Sequence, residues 1–97
     1  MEITTENLKD LIWKPKALED RDLFKKSGNK PLMNKIQKLL EELELHPETG
    51  TGKPEQLTEN LSGYWSRRIN RANRIIYTIG ETSVTIYSLR GHYEKNN

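Results

Sequence analysis

The sequence predicts an α+β domain in which two N-terminal helices pack on one face of a small antiparallel β-sheet. Apolar residues recur with helical spacing in the first half of the chain, and they alternate with polar residues after Tyr64. The helical segments also precede the strands instead of interleaving with them. A chain of 97 residues can bury one hydrophobic core but not two. We therefore expect a single domain over residues 1–97, with a loose polar leader at 1–7 and a tail at 94–97.

The composition excludes several classes of protein. Hydrophobic residues make up 33% and charged residues 31% of the chain, and the apolar residues are clustered, which is typical of a folded domain. There is no cysteine, so disulfides and thiolate metal sites are excluded. No apolar run is long enough for a signal peptide or a membrane span. The cytoplasm is the expected compartment, and a membrane is not an expected partner.

The first half of the chain predicts a strand followed by two helices. Residues 8–13 are typical of a short strand, and Pro15 suits the first turn of a helix that ends near Gly28. A second helix is predicted to begin near Pro31. Its apolar residues form one stripe at helical spacing: Leu32, Ile36, Leu39, Leu40 and Leu43.

The second half predicts a loop and then a meander of three strands. Residues 46–54 (HPETGTGKP) contain two prolines and two glycines and indicate a loop. Residues 65–69, 74–79 and 84–87 alternate with period two and are joined by the short segments NRAN and GET. With the helices on one face of this sheet, the other face is expected to stay open.

Basic charge is concentrated in the second half of the chain. Residues 1–50 carry nine Lys or Arg against ten Asp or Glu, whereas residues 51–97 carry seven against four. The stretch NLSGYWSRRINRANRIIYTI, residues 60–79, holds four arginines and no lysine or acidic residue. Arginine favours bidentate contact with phosphate or carboxylate. The sequence therefore indicates nucleic acid, or an acidic protein segment, as a partner.

The position of each arginine depends on strand register. Arg68 and Arg74 lie on the same sheet face if an odd number of residues connects their strands, and on opposite faces if the number is even. The sequence does not fix that register. Arg67 and Arg71 are interpreted as surface residues that serve solubility or edge protection.

Metal-free RNA cleavage needs a base for the 2′-hydroxyl, cations beside the phosphate and an acid for the leaving 5′-oxygen. Glu55, after the stiff segment GTGKP, is a candidate base, and His92, past the third strand, is a candidate acid. For each residue alone, an ordinary solvent-exposed side chain is the commoner explanation. Tyr93, beside His92, is the tyrosine that we expect to stack on a base. No histidine spacing indicates a metal site, and no cofactor is expected.

Two segments carry a family resemblance. GKPEQLTENLSGYWSRRINRANRIIYTI and RGHY resemble the YoeB/Txe toxins, a branch of the RelE superfamily found in bacterial type II toxin–antitoxin pairs, and LIWKP is similar to the family's first strand. The resemblance covers residues 8–93. It implies a RelE-like microbial ribonuclease fold and an mRNA endoribonuclease that works in the ribosomal A site. It also implies inhibition by a cognate antitoxin of the YefM/Axe type, and it is compatible with a homodimer.

The resemblance also implies roles for individual residues. The general base falls on Glu55, the phosphate-binding arginines on Arg68 and Arg74, the general acid on His92 and the adjacent catalytic tyrosine on Tyr93. Arg90 belongs to the matching C-terminal block. The family often has a lysine where this chain has Thr58, so Lys53 is a candidate replacement.

Two other functions fit part of the same sequence. A ParE-like toxin of the same fold, acting on DNA gyrase, or a non-catalytic relative that only binds its antitoxin, would not need Glu55, Arg74 and His92 together. A small RNA-binding domain would explain the arginines. It would leave Glu55 unexplained, because a carboxylate beside a phosphate channel weakens binding.

Overall fold

The computed structural model describes residues 8–91, which form two helices and a five-stranded sheet. The elements follow in the order β1 (Asp10–Trp13), α1 (Pro15–Ser27), α2 (Lys30–Leu45), β2 (Glu55–Gln56), a 3-10 helix (Glu59–Leu61), β3 (Trp65–Arg68), β4 (Arg74–Ile79) and β5 (Ser83–Ser88). The predicted fold class is confirmed. The leader 1–7 and the tail 94–97 lie outside the described residues.

Local sequence signals set the ends of both helices. Pro15 occupies the first turn of α1, and Gly28 ends that helix in the left-handed conformation, at φ 71°. The Asn29 side chain caps α2 by accepting a hydrogen bond from the Leu32 N–H at 3.1 Å. These signals are local, which explains why the predicted helix boundaries agree with the structure.

The sheet has the strand order β1-β5-β4-β3-β2. The predicted meander of β3, β4 and β5 is antiparallel, and β2 joins it antiparallel to β3. β1 pairs with β5 in parallel, so the complete sheet is mixed. This parallel pairing brings together residues about 70 positions apart, such as Trp13 and Ile86. No local sequence pattern indicates whether two such distant strands pair in parallel or antiparallel.

The hydrophobic core lies between the helices and one face of the sheet. Twelve buried residues form it: Ala17, Phe24, Ile36, Leu39, Leu40, Leu43, Ile69, Ile75, Tyr77, Val84, Ile86 and Leu89. Trp13 and Trp65 pack against this cluster, as expected for core tryptophans. We call the opposite side of the sheet the open face. It receives the alternate strand residues, including Ser66, Arg68 and Arg74.

α1 buries only part of its apolar surface. Leu18 and Leu23 are exposed, whereas the carboxylate-bearing Asp20 is fully buried. Asp20 accepts a hydrogen bond from the Leu89 N–H at 2.9 Å, which ties α1 to the end of β5. Among residues 8–91, neither helix is long and apolar enough to cross a membrane.

Candidate active site

Glu55, Ser66 and Arg74 meet on the open face. Glu55 pairs with Ser66 across β2 and β3, so the two side chains share one face. Arg74 donates a hydrogen bond from Nη1 to Ser66 Oγ at 3.2 Å, and the same nitrogen lies 3.6 Å from Glu55 Oε1. Both charged side chains reach solvent, with exposed fractions of 61% for Glu55 and 39% for Arg74. A carboxylate and a guanidinium are therefore accessible at one point, and the buried Ser66 hydroxyl holds the guanidinium there.

Arg68 lies directly opposite Arg74 in the β3–β4 register. Five residues, 69–73, connect the two strands, so both arginines project from the open face. The turn is fixed by the Asn70 side-chain oxygen, which accepts hydrogen bonds from the N–H groups of Ala72 and Asn73. Like charges in directly opposed positions destabilise a strand pair. A bound anion, such as a phosphate, would relieve that repulsion.

Arg67 is buried, so its interpretation as a surface residue is wrong. Its side chain has an exposed fraction of 0% and points to the helix side of the sheet. Nη1 donates to Glu42 Oε1 at 3.1 Å, and Nη2 donates to the carbonyls of His46 at 3.1 Å and Thr49 at 2.6 Å. The reason is strand alternation, because Arg67 and Arg68 must face opposite sides of β3. Arg71 is exposed, as predicted.

The Arg67 contacts hold the loop 46–54, which leads into Glu55. Glu42 Oε1 also accepts the Thr51 N–H at 2.8 Å, and the Gly52 carbonyl accepts the Arg68 N–H at 2.7 Å. Gly52 has φ +89°, and a Cβ there would lie 2.5 Å from the Arg68 carbonyl oxygen. Glycine is therefore required at the point where the loop approaches β3.

Two ionisable groups around this loop have shifted pKa values. Burial acts to raise the pKa of Glu42, but hydrogen bonds from Thr51 and the charge of Arg67 outweigh it, and the pKa is lowered. Burial raises the pKa of Tyr77, whose hydroxyl donates to the Pro47 carbonyl at 2.7 Å. At neutral pH Glu42 is therefore ionised and the Tyr77 hydroxyl is protonated. Their hydrogen bonds to the Thr51 N–H and the Pro47 carbonyl hold the loop in position.

Lys53 and Arg90 are the other predicted site residues that the structure describes. Lys53 is exposed, has φ +51° and lies two positions before Glu55. Arg90 is exposed at the end of the described chain, and the next N–H, that of Gly91, donates to the Arg74 carbonyl at 2.9 Å. The chain therefore leaves the sheet beside Arg74. His92 and Tyr93 follow immediately and lie outside the described residues.

Sequence reasoning missed Ser66 and the pair formed by Arg67 and Glu42. Ser66 lies on the same strand and the same face as Arg68. The alternation of residues along β3 could therefore have placed Ser66 in the site. The pair joins residues 25 positions apart and has no sequence signature. Among the described residues, no group of three His, Asp or Glu side chains is placed to hold a metal ion.

Comparison with known proteins identifies the family. Residues 13–93 match the family of YoeB-like toxins of bacterial type II toxin–antitoxin systems. Toxin YoeB of Synechocystis sp. is 44% identical over 73 residues, which is 75% of this chain and 85% of the relative. Toxin YoeB of Escherichia coli K12 is 39% identical over 83 residues, which is 86% of this chain and 98% of the relative.

Solved structures show the same similarity. The YoeB dimer from Staphylococcus aureus superposes with a TM-score of 0.76 at 37% identity, covering 88% of this chain and 98% of that one. A YoeB–YefM complex from the same organism gives 0.75 at 38% identity with the same coverage. The chain therefore belongs to the YoeB-like toxins of bacterial type II toxin–antitoxin systems.

Proposed function

We propose that this toxin is a ribosome-dependent endoribonuclease that cleaves mRNA in the A site and so inhibits translation. The observation that carries the proposal is the contact of Arg74 with Glu55 and Ser66, with Arg68 directly opposite, on a solvent-accessible sheet face. Membership of the toxin family supports it. A carboxylate beside paired guanidinium groups suits proton abstraction next to a phosphate better than simple phosphate binding.

In the proposed reaction, Glu55 takes the proton of an RNA 2′-hydroxyl. The 2′-oxygen then attacks the adjacent phosphorus, and the bond from phosphorus to the 5′-oxygen breaks. Arg74 and Arg68 stabilise the negative charge that develops on the phosphate, and His92 protonates the leaving 5′-oxygen. The products are a 2′,3′-cyclic phosphate and a 5′-hydroxyl. This route uses protein groups alone for acid, base and charge stabilisation, so it needs no active-site metal or cofactor.

The remaining predicted site residues have supporting roles. We assign Lys53 and Arg90 as phosphate-binding cations and Tyr93 as a catalytic neighbour of His92. Electrostatic attraction between this basic region and RNA would speed association at low salt.

We also propose that a cognate antitoxin of the YefM/Axe type inhibits the toxin in the cytoplasm. The S. aureus relative forms a YoeB–YefM complex, and another structure of it is a YoeB dimer. An antitoxin segment with acidic side chains would pair with the exposed arginines of the open face and exclude RNA.

Programmed ribosomes test the proposal against the ParE-like alternative. The toxin is added to ribosomes that carry a defined mRNA, and the mRNA 3′ ends are mapped. In parallel, DNA gyrase supercoiling is measured with the same toxin preparation. We expect new ends within the A-site codon and unchanged gyrase activity. Intact mRNA together with inhibited gyrase would overturn the proposal in favour of the alternative.

A further inference from the structure

The open face carries a second group of side chains that the catalytic proposal does not use. The rings of Tyr64 and Tyr87 meet edge to face, with centroids 5.1 Å apart and planes at 68°. Lys14 Nζ lies 5.9 Å from the Tyr87 ring centroid. Both tyrosines are half-buried and Lys14 is exposed. We call Lys14, Tyr64 and Tyr87 the tyrosine cluster.

The tyrosine cluster lies on the same face as the candidate active site. Tyr64 lies two residues before Ser66, so it has the parity of the open face. Tyr87 is the extra residue of β5 where the β4–β5 register shifts, and its ring contacts Tyr64 there. The other aromatic pair, Trp65 and Tyr77, stacks on the helix side, where Tyr77 is fully buried. That second pair is explained by core packing, whereas the tyrosine cluster borders solvent.

The cluster is also adjacent to the residues proposed to hold the scissile phosphate. Tyr64 precedes Ser66 by two residues, which corresponds to roughly 7 Å along an extended chain. Ser66 accepts the Arg74 hydrogen bond, and Arg68 lies two residues further along β3. The order along this face is therefore arginines, Ser66, then tyrosines. RNA with its phosphate at the arginines would place a neighbouring base near the tyrosines.

The chemistry of the cluster suits a nucleobase. In an edge-to-face pair, the ring that presents its edge keeps its own faces clear of its partner, so a base can stack on it. Aromatic stacking with a cation nearby is the common means of binding single-stranded RNA. Lys14 supplies that cation, and its backbone N–H is fixed by donation to the Ile86 carbonyl at 2.9 Å.

We propose that Tyr64, Tyr87 and Lys14 form a subsite for the base of an RNA nucleotide that flanks the scissile phosphate. This inference rests on the proposed function. It is separate from the expected role of Tyr93, because Lys14 directly follows β1, Tyr64 directly precedes β3 and Tyr87 belongs to β5. The subsite gives affinity for single-stranded RNA, and the three side chains contribute to binding more than to the chemical step.

Equilibrium binding of a short fluorescent RNA tests the subsite. The parent protein carries Glu55→Gln so that the RNA stays intact. Tyr87→Leu keeps apolar packing but removes the ring, and Lys14→Gln removes the cation. Lys38→Gln, an exposed position on α2, is the charge-matched control. We expect at least about fivefold weaker binding for Tyr87→Leu, a smaller loss for Lys14→Gln and no change for the control.

A second series uses RNAs that each contain one abasic nucleotide. One abasic position should weaken binding to the parent protein by about the same factor as Tyr87→Leu, and the two losses should not add. The binding of the abasic RNAs to the parent protein tests the subsite without any substitution in the tyrosine cluster. Unchanged binding by Tyr87→Leu, or equal losses at every abasic position, would overturn the subsite.

Failure of the subsite can be distinguished from failure of the proposed cleavage. If the wild type cleaves ribosome-bound mRNA but the variants and abasic RNAs bind normally, the subsite alone is wrong. If the RNA binds through one base but the wild type leaves mRNA intact, the proposed cleavage is wrong and the binding site stands.

Discussion

Neighbouring arginines in residues 60–79 have opposite roles because the strand pleat separates them. Arg67 points to the helices, where a carboxylate and two carbonyls neutralise and bind it. Arg68 and Arg74 point to the open face and reach solvent. Only the outward residues can meet a phosphate. Composition could predict an affinity for anions, but the strand register decides which arginines provide it.

Arg74 is the residue whose loss should affect cleavage most directly. Arg74→Ala removes one preorganised donor, so the cleavage rate should fall by roughly two to three powers of ten. Its partial exposure and peripheral contacts predict little change in stability. Single-turnover cleavage of ribosome-bound mRNA measures the rate, and circular dichroism checks the fold. Arg71→Ala, an exposed turn position, is the control and should stay within a few-fold of wild type.

The loop 46–54 owes its position to buried contacts rather than to its own sequence. Its prolines and glycines predict a loop, but the contacts of Arg67 and Glu42 that hold it against β3 come from distant elements. The same limit applies to β2, whose two residues, Glu55 and Gln56, are too few for a periodic pattern. Helices were predictable because their caps and apolar stripes are local. Pairing between distant segments, such as β1 with β5, was not.

Removing the Arg67 side chain should destabilise the whole protein. Arg67→Met leaves Glu42 and two loop carbonyls without their buried partner, and this should lower the free energy of unfolding by about 3 kcal/mol. Arg68→Met changes an exposed neighbour of the same type and should cost less than about 0.5 kcal/mol. Urea denaturation compares the two variants. Equal effects would show that the buried arginine does not anchor the loop.

Glu42 should make stability depend on acidic pH. Its pKa is lowered below the ordinary value of 4.5 in the folded state, because the Thr51 hydrogen bonds and Arg67 outweigh burial. Such a carboxylate stabilises the fold above its unfolded pKa, and the contribution is lost as pH falls through the folded pKa. The stability advantage of wild type over Glu42→Gln should therefore be constant near neutrality and shrink below about pH 4.5. If the difference in unfolding free energy between wild type and Glu42→Gln stays constant down to pH 3, this prediction is wrong.

The molecule as a whole places the helices on one face of the sheet and the proposed active site on the other. The basic half of the sequence supplies β3, β4 and β5, and two of its arginines, Arg68 and Arg74, are displayed where no helix covers the sheet. In the proposed function this surface binds either RNA or an acidic antitoxin segment, and the two exclude each other.

Antitoxin binding should therefore slow hydrogen exchange at the edge of the open face. We expect protection in residues 55–68, which include β2 and β3, when the toxin is measured with its cognate antitoxin. The outer surface of α2 serves as the internal reference and should exchange equally in both states. Protection confined to α2 would exclude inhibition by coverage of the active site.

The chemical ends of the cleaved mRNA test the central claim most directly. Attack by the internal 2′-hydroxyl, with Glu55 as base and Arg74 beside the phosphate, must leave a 2′,3′-cyclic phosphate, or the 3′-phosphate formed from it, and a 5′-hydroxyl. The fragments from programmed ribosomes are analysed by mass spectrometry and by labelling with polynucleotide kinase. We predict cyclic phosphate and 5′-hydroxyl ends within the A-site codon. A 3′-hydroxyl with a 5′-phosphate would mean that water attacked the phosphate, and the proposed mechanism would be wrong.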